Sequence, residues 1–411
     1  MKINTTSNTL SLLFVILIVC LTLTLLQGYF FVFRRQWIFM GAITVVGLIN
    51  STSYLRQKQT IWLLIYFLIV SFNALSGDDF WSARGQSVAE LFLLTAPSIM
   101  TFYALKNDDR KFMKTVLTVF FVIVVLETIA SFIANLKFPD IIRILTSMRN
   151  NSSSESAWYY YRMGIANYDI GHALPALLPL LIWEVRYNAT SKSTRRICLV
   201  LLVFTLVLIY ISAITTALLL SVFAVLLALF TQKGTLKRNL FPIMVLSLIF
   251  IPFILSDSLI LDLLSFVNGY IPSEYSLHDK IIDIQETILY GETSGDLSLR
   301  EEKYTSTISL FQENMLLGTN SKVGGHSSFL DRLSSLGIVG FIPYVVFLYL
   351  QIKKLSDRIH PEYRIVYFEG ILMCLLMLLM KDADSWEMFF TMFTLVPFMT
   401  YLLSIQSNKI S

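Results

Sequence analysis

Hydrophobic residues make up 55% of this 411-residue chain and charged residues only 15%, against about 25% charged in an ordinary soluble domain. That balance excludes a soluble globular protein. The 32 Lys+Arg and 28 Asp+Glu leave a net charge of +4, too even for a polyelectrolyte partner, and with no basic stripe nucleic-acid binding is excluded as well. The three cysteines, Cys20, Cys198 and Cys374, lie far apart inside apolar runs. They have neither the spacing of a disulfide framework nor that of a zinc site.

A bilayer core of about 30 Å needs roughly 17 to 25 apolar residues per helix, because every backbone polar group must find its partner within the span. In chain order this predicts about twelve helices, near residues 10–26, 37–53, 60–76, 86–105, 115–134, 170–185, 197–213, 216–231, 240–256, 336–352, 365–380 and 388–405. Ile197 to Phe230 carries no charge over 34 residues. As one helix it would be about 51 Å long, so it must fold back, and the small and β-branched residues Ser212 to Thr216 are the expected break. The first span follows Lys2 without a small-x-small cleavage site and is expected to be a retained anchor.

Lys and Arg in the short loops set the expected orientation. With the N-terminus inside, the cytoplasmic connections hold Arg56 and Lys58; Lys106, Arg110, Lys111 and Lys114; Arg186, Lys192, Arg195 and Arg196; Lys233, Lys237 and Arg238; and Lys353, Lys354, Arg358 and Arg364. The short external loops hold only Arg34, Arg35, Arg84 and Lys381. The expectation is therefore an all-α polytopic membrane protein, a single transmembrane domain over 1–411 with both termini cytoplasmic. Two long external segments, 135–169 and 257–335, leave it, the second between helices 9 and 10. A loop of the second one's length should fold. Tyr275 to Tyr290 carries Ile281, Ile284, Ile288 and Leu289 at helical spacing, and Leu299 to Leu317 places Tyr304, Ile308, Phe311 and Met315 on one face. Both are predicted to be amphipathic helices.

Three external clusters carry the polar chemistry. The first runs from Tyr159 through Arg162, Gly164, Asn167 and Gly171 to His172, directly into a helix with Pro175 and Pro179. Its bland alternative is an interfacial arginine in an aromatic belt and a histidine serving the helix entry. In the second, Ser298 and Glu301 have capping-box spacing, which predicts a helix opening at Leu299 with Arg300 in its first turn, where a cation opposes the helix dipole. The alternative there is a solvated arginine beside Glu301 or Glu302. The third is Gly318, Gly324, Gly325, His326, Ser327, Ser328, Asp331 and Arg332, followed by Gly337 and Gly340. Ser328 and Asp331 have the spacing of a helix start, which puts His326 at a helix N-terminus beside free amides and Arg332. A satisfied structural histidine is the alternative. Two arginines and a histidine on one side of a membrane suit an anionic substrate, because guanidinium forks bind pyrophosphate bidentately and an imidazole can take a proton from an attacking hydroxyl.

The order of these clusters resembles the bacterial family of O-antigen and capsule repeat-unit polymerases (Wzy) and O-antigen ligases. Its members carry a late periplasmic loop closed by a glycine–histidine motif with two small polar residues, an aromatic and a leucine, running into L-x-x-x-G-[IL]-[IV]-G. Here that stretch is Gly325-His326-Ser327-Ser328-Phe329-Leu330 and then Leu333 to Gly337-Ile338-Val339-Gly340. Upstream, an arginine about eleven residues ahead of F-x-x-N-P-x-x-G is matched by Arg300 and Phe311 to Gly318, with Met315 in place of the proline. The earlier R-x-x-G pattern is similar to Arg162-Met163-Gly164 with Asn167. The family's Ser-Arg at the break in the paired helices is missing here, where Ser212 is followed by Ala213.

The resemblance implies the glycosyltransferase-C type of membrane fold and extension of undecaprenyl-pyrophosphate-linked oligosaccharide repeat units at the outer face of the bacterial cytoplasmic (inner) membrane. The transfer needs neither metal nor other cofactor. It implies Arg162 and Arg300 on the departing pyrophosphate and His326 on the acceptor hydroxyl, with Arg332, His172, Asn167, Gly325 and Ser327 contacting substrate. Its partners are the lipid-linked oligosaccharide, the bilayer, and a flippase and chain-length regulator. Two other readings stay open: an O-antigen ligase, and a lipid-linked oligosaccharide flippase or transporter in which Glu90, Glu127 and Glu369 mark an ion path. Asp382-Ala383-Asp384 has the D-x-D form of a metal turn, with an incomplete ligand set.

Overall fold

A computed structural model describes residues 13–19, 36–75, 80–137, 168–187, 191–212, 214–232, 295–319 and 327–407, with short pieces between 261 and 286. Among the described residues every regular element is helical. We number the helices α1 Gln36–Asn50, α2 Lys58–Leu75, α3 Phe80–Lys106, α4 Arg110–Lys137, α5 Tyr168–Ala173, α6 Leu178–Tyr187, α7 Lys192–Ile211, α8 Thr215–Phe230, α9 Gly295–Glu313, α10 Ser328–Ser356, α11 Arg364–Met380, α12 Trp386–Phe390 and α13 Val396–Ser407. Residues 13–19 form a further helical piece.

Five helical segments are long and apolar enough to cross a membrane: Arg110–Lys137, Lys192–Ile211, Ser328–Ser356, Pro361–Met380 and Trp386–Ile405. Three shorter apolar helices, Ile38–Asn50, Lys58–Phe72 and Thr216–Phe230, coincide with expected spans. The expected ninth span, 240–256, lies outside the described residues, as does most of the first. Large apolar side chains recur at helical spacing on outward faces: Ile61, Leu64, Leu68 and Phe72 on α2, and Leu199, Val203, Leu206 and Tyr210 on α7 are all exposed. Such stripes would drive a soluble protein to aggregate, and against lipid tails they need no cover. The class so defined is an all-helical membrane protein.

The charge-free stretch does fold back. Ser191 caps α7 by accepting the Thr194 N–H at 3.1 Å, and the chain turns at Ser212 and the extended Ile214 before α8 begins at Thr215. Between α5 and α6, Pro175 and Pro179 lack the N–H groups an α-helix uses, and Leu174–Leu177 tightens to a 3-10 turn.

The C-terminal segment lies at the centre. It is apolar on all sides, which suits only a fully enclosed helix, and 83% of its most apolar window is buried. A π-helical stretch, Thr391–Leu395, joins α12 to α13. There Thr101 on α3 donates to Thr394 Oγ1 at 3.0 Å, and Thr394 donates to the Pro97 carbonyl at 3.2 Å. Around this axis α10 packs on α2, α1 on α3, α4 on α7, α6 on α7 and α8, and α8 on α11. At the α3–α4 turn Asp108 adopts a left-handed φ of +47°. Its carboxylate accepts from Arg110 and from the Tyr401 hydroxyl, and the Arg110 hydrogen bond holds its pKa below the usual carboxylate range.

The long segment after α8 differs from its expected detail. The second helix starts at Gly295, not at Leu299, so Ser298 is not a cap and Arg300 lies in the second turn. It ends at Glu313, which leaves Met315 exposed in the following turn. Its inner face carries Tyr304, Thr307 and Phe311, with Thr307 buried and Ile308 exposed, because α9 lies on α10 through Thr307's side of the helix. Of the expected Tyr275–Tyr290 helix, His278, Ile281, Ile282, Gln285 and Glu286 are helical and Ile281 is buried. Ile284, Ile288 and Leu289 lie outside the described residues.

Candidate functional site

The glycines of the third cluster build a broken helix. Gly337 sits inside α10 at φ +61° and ψ −172°, a conformation reserved for glycine, and splits it into 328–336 and 338–356. A break leaves amide donors and carbonyl acceptors without helical partners, a cost that must be met inside the protein. The turn after α9 meets it. Ile338 and Val339 donate to the Met315 and Leu316 carbonyls at 2.9 and 3.1 Å, and the Ser334 carbonyl accepts the Thr319 N–H at 3.0 Å. The turn is itself closed by Gly318, at φ +76°, donating to the Asn314 carbonyl at 2.8 Å, and by the Leu317 N–H on Asn314 Oδ1 at 3.2 Å.

The two glycines are interlocked. A Cβ on Gly318 would lie 2.3 Å from the Ser335 carbonyl oxygen, and one on Gly337 2.3 Å from that of Leu316. The two ends of the third sequence cluster thus meet backbone to backbone, and the first of them is the turn that follows α9. Gly337→Ala is expected to lower stability by about 1–3 kcal/mol from backbone conformation alone, with the overlap added. Thermal unfolding of detergent-solubilised protein measures it, and a melt equal to the parent's would refute the interlock.

At the start of α10, Ser327 is the N-cap and accepts the Leu330 N–H at 3.2 Å. This is one residue earlier than the Ser328 start that the spacing suggested. Ser328 instead ties α10 to the turn before α12. Its N–H and hydroxyl both donate to the Lys381 carbonyl at 3.1 Å, and its Oγ accepts the Ala383 N–H at 3.0 Å. Ser385 caps α12 through the Met388 N–H at 3.3 Å. Two helix N-termini therefore converge on residues 381–385.

Arg332 lies beneath this junction, 2% exposed, with Nη1 2.5 Å from Asp384 Oδ2. Its Nε donates to the Tyr66 hydroxyl at 3.1 Å, Tyr66 donates to Glu90 at 2.9 Å, and the guanidinium lies 4.5 Å from the centre of the Tyr344 ring. Burial raises the Asp384 carboxyl above its ordinary value while Arg332 pulls it back. Arg332 Nη2 and Asp384 Oδ1 have no hydrogen-bond partner among the described residues. Arg332 thus has a protein counter-ion, and one carboxylate of the D-x-D turn is that counter-ion. Among the described residues no group of His, Cys, Asp and Glu could hold a metal.

The other expected site residues divide in two. His172 is buried in α5, which packs on α12, and Ser327 is a helix cap. Arg162, Asn167, Gly325 and His326 lie outside the described residues. Arg300 falls within α9, but its side chain is not described. The sequence offered Tyr66 and Tyr344 only as apolar-run aromatics and Asp384 only as a metal ligand. Their signal was charge: Arg332 and Asp384 each stand at the edge of a long apolar segment, where an ion needs a partner. A second polar group is also enclosed, with Glu127 on α4 and Glu387 on α12 both buried and Asp169 on α5 within electrostatic reach of Glu387.

In comparisons with known proteins, no protein-family model matches the chain and no curated protein matches it.

Proposed function

We propose that the protein is a polysaccharide polymerase that extends undecaprenyl-pyrophosphate-linked repeat units at the outer face of a bacterial cytoplasmic membrane. The observation that carries this reading is the Gly325-His326-Ser327-Ser328-Phe329-Leu330 motif of an all-helical membrane protein, leading into a helix whose entry is fixed by Ser327, Ser328 and the buried Arg332–Asp384 pair. His326 directly precedes the Ser327 cap, and Arg300 belongs to the helix whose C-terminal turn is locked to the Gly337 break. In this reading Arg162 and Arg300 bind the departing pyrophosphate of the growing chain. His326 takes the proton from the acceptor hydroxyl, which attacks the anomeric carbon as the pyrophosphate leaves. Pyrophosphate is a good leaving group and needs little acid assistance. The fold belongs to the glycosyltransferase-C type, with about twelve spans and both termini in the cytoplasm.

Buried carboxylates favour one other reading. Glu127, Glu184, Glu369 and Glu387 are each at most 6% exposed within helices, and ionisable groups in such places mark ion pathways in transporters. Surface glycan from a deletion strain separates the cases on a gel. Single repeat units are the expected result for the polymerase. Unattached chains would mean a ligase, and lipid-linked intermediates held in the cytoplasm a flippase. Within the polymerase reading, Arg162→Ala and Arg300→Ala are expected to abolish chain extension at near-normal protein levels. Arg300→Lys should stay well below the parent, since an ammonium keeps the charge but loses the planar fork. Parental chain lengths from Arg300→Lys would remove bidentate pyrophosphate binding at that position.

A further inference from the structure

At the opposite end of α10 from the Arg332 site, the helix ends beside those of α2 and α3 form a shallow surface cleft, lined by Gln59, Lys106, Gln351, Lys354 and Arg358 with Phe102 at its side. Its charge has one sign. None of the three cations takes part in an ion pair among the described residues: Lys106 donates to Ser53 Oγ at 3.0 Å, and Lys354 lies 5.8 Å from the Phe102 ring centre. Asp357 neighbours Arg358 in sequence, and Asp108 on the adjoining turn is already bound by Arg110 and Tyr401. Three like charges converging without a counter-ion repel one another, a cost that an incoming anion removes.

The second observation is Gln351. It is 2% exposed, lines the cleft, and its Oε1 has no hydrogen-bond partner among the described residues. A buried acceptor left unmatched costs stability unless a ligand supplies a donor. The occupant therefore needs a negative charge for Lys106, Lys354 and Arg358 and a nearby hydroxyl for Gln351.

Placement selects its source. The cleft sits where long apolar helices give way to basic connections, the depth at which phospholipid headgroups gather, and basic pockets between spanning helices are general sites for acidic headgroups. We propose that this cleft binds the headgroup of an anionic phospholipid of the phosphatidylglycerol type, its phosphodiester on the three cations and a glycerol hydroxyl donating to Gln351. This site stands independently of the reaction at the other end of α10.

Native mass spectrometry of the delipidated full-length protein tests it, with phosphatidylglycerol, phosphatidylcholine or inorganic phosphate added back. One phosphatidylglycerol is expected to stay bound, against little phosphatidylcholine. Lys354→Gln/Arg358→Gln should weaken its retention about thirtyfold, the effect of losing two headgroup-level charges. Lys192→Gln/Arg195→Gln, which removes equal charge from another basic connection, should retain it. Equal retention of phosphatidylcholine by the parent overturns the site without recourse to any variant. Equal loss in the Lys192/Arg195 control would assign the binding to diffuse surface charge and also overturn it. Displacement of phosphatidylglycerol by millimolar inorganic phosphate would overturn the lipid as occupant.

Discussion

Arg332→Met is expected to lower the unfolding free energy by about 3–5 kcal/mol, the usual result of removing one member of a buried ion pair. The loss does not come from the pair's own attraction, which desolvation of both ions largely offsets. It arises because Asp384, and Glu90 through Tyr66, remain behind as carboxylates without their cation. The double variant Arg332→Met/Asp384→Leu should therefore be more stable than Arg332→Met alone, since the nearer of the two unpaired carboxylates is removed and only Glu90 remains. Thermal melts of the four proteins in detergent form the cycle. Were the double variant as unstable as the sum of the singles, packing and not charge would explain the effect. Ser328 on Lys381 and Ala383 still joins α10 to the 381–385 turn in both variants.

His326→Gln is expected to cut the polymerisation rate by roughly 10²- to 10⁴-fold, the usual contribution of a general base, with the melting temperature close to the parent's. Glutamine can still hydrogen-bond but cannot accept the proton, so a true base loses rate with either Gln or Ala. A histidine that only positions the acceptor would be served far better by Gln than by Ala. Reconstituted protein with synthetic lipid-linked repeat units distinguishes the two, and near-parental turnover by His326→Gln would end the base role. Unchanged activity with a chelator present is the accompanying expectation, because Asp384 already serves Arg332.

The sequence by itself determined the class. Apolar runs long enough for a bilayer specify helices, since only a helix satisfies its own backbone in lipid, and the positions of α2, α4, α7, α8, α10, α11 and the C-terminal helix follow from those runs. The fold-back near Ser212 was legible for the same reason, as 34 charge-free residues exceed one crossing. Which glycines break a helix was not legible. Gly337 and Gly340 look alike in the chain, yet only Gly337 has a positive φ, because the turn at Gly318 arrives to bond the amides it frees. Nor could sequence give the partner of Arg332: Asp384 and Tyr66 lie 52 and 266 residues away along the chain, and such pairing is decided by how α2, α10 and the turn before α12 pack. Periodicity and length are local and survive in one dimension. The matching of a buried charge to its counter-ion, and of a broken helix to the strand of turn that completes it, exists only once those distant segments are brought together.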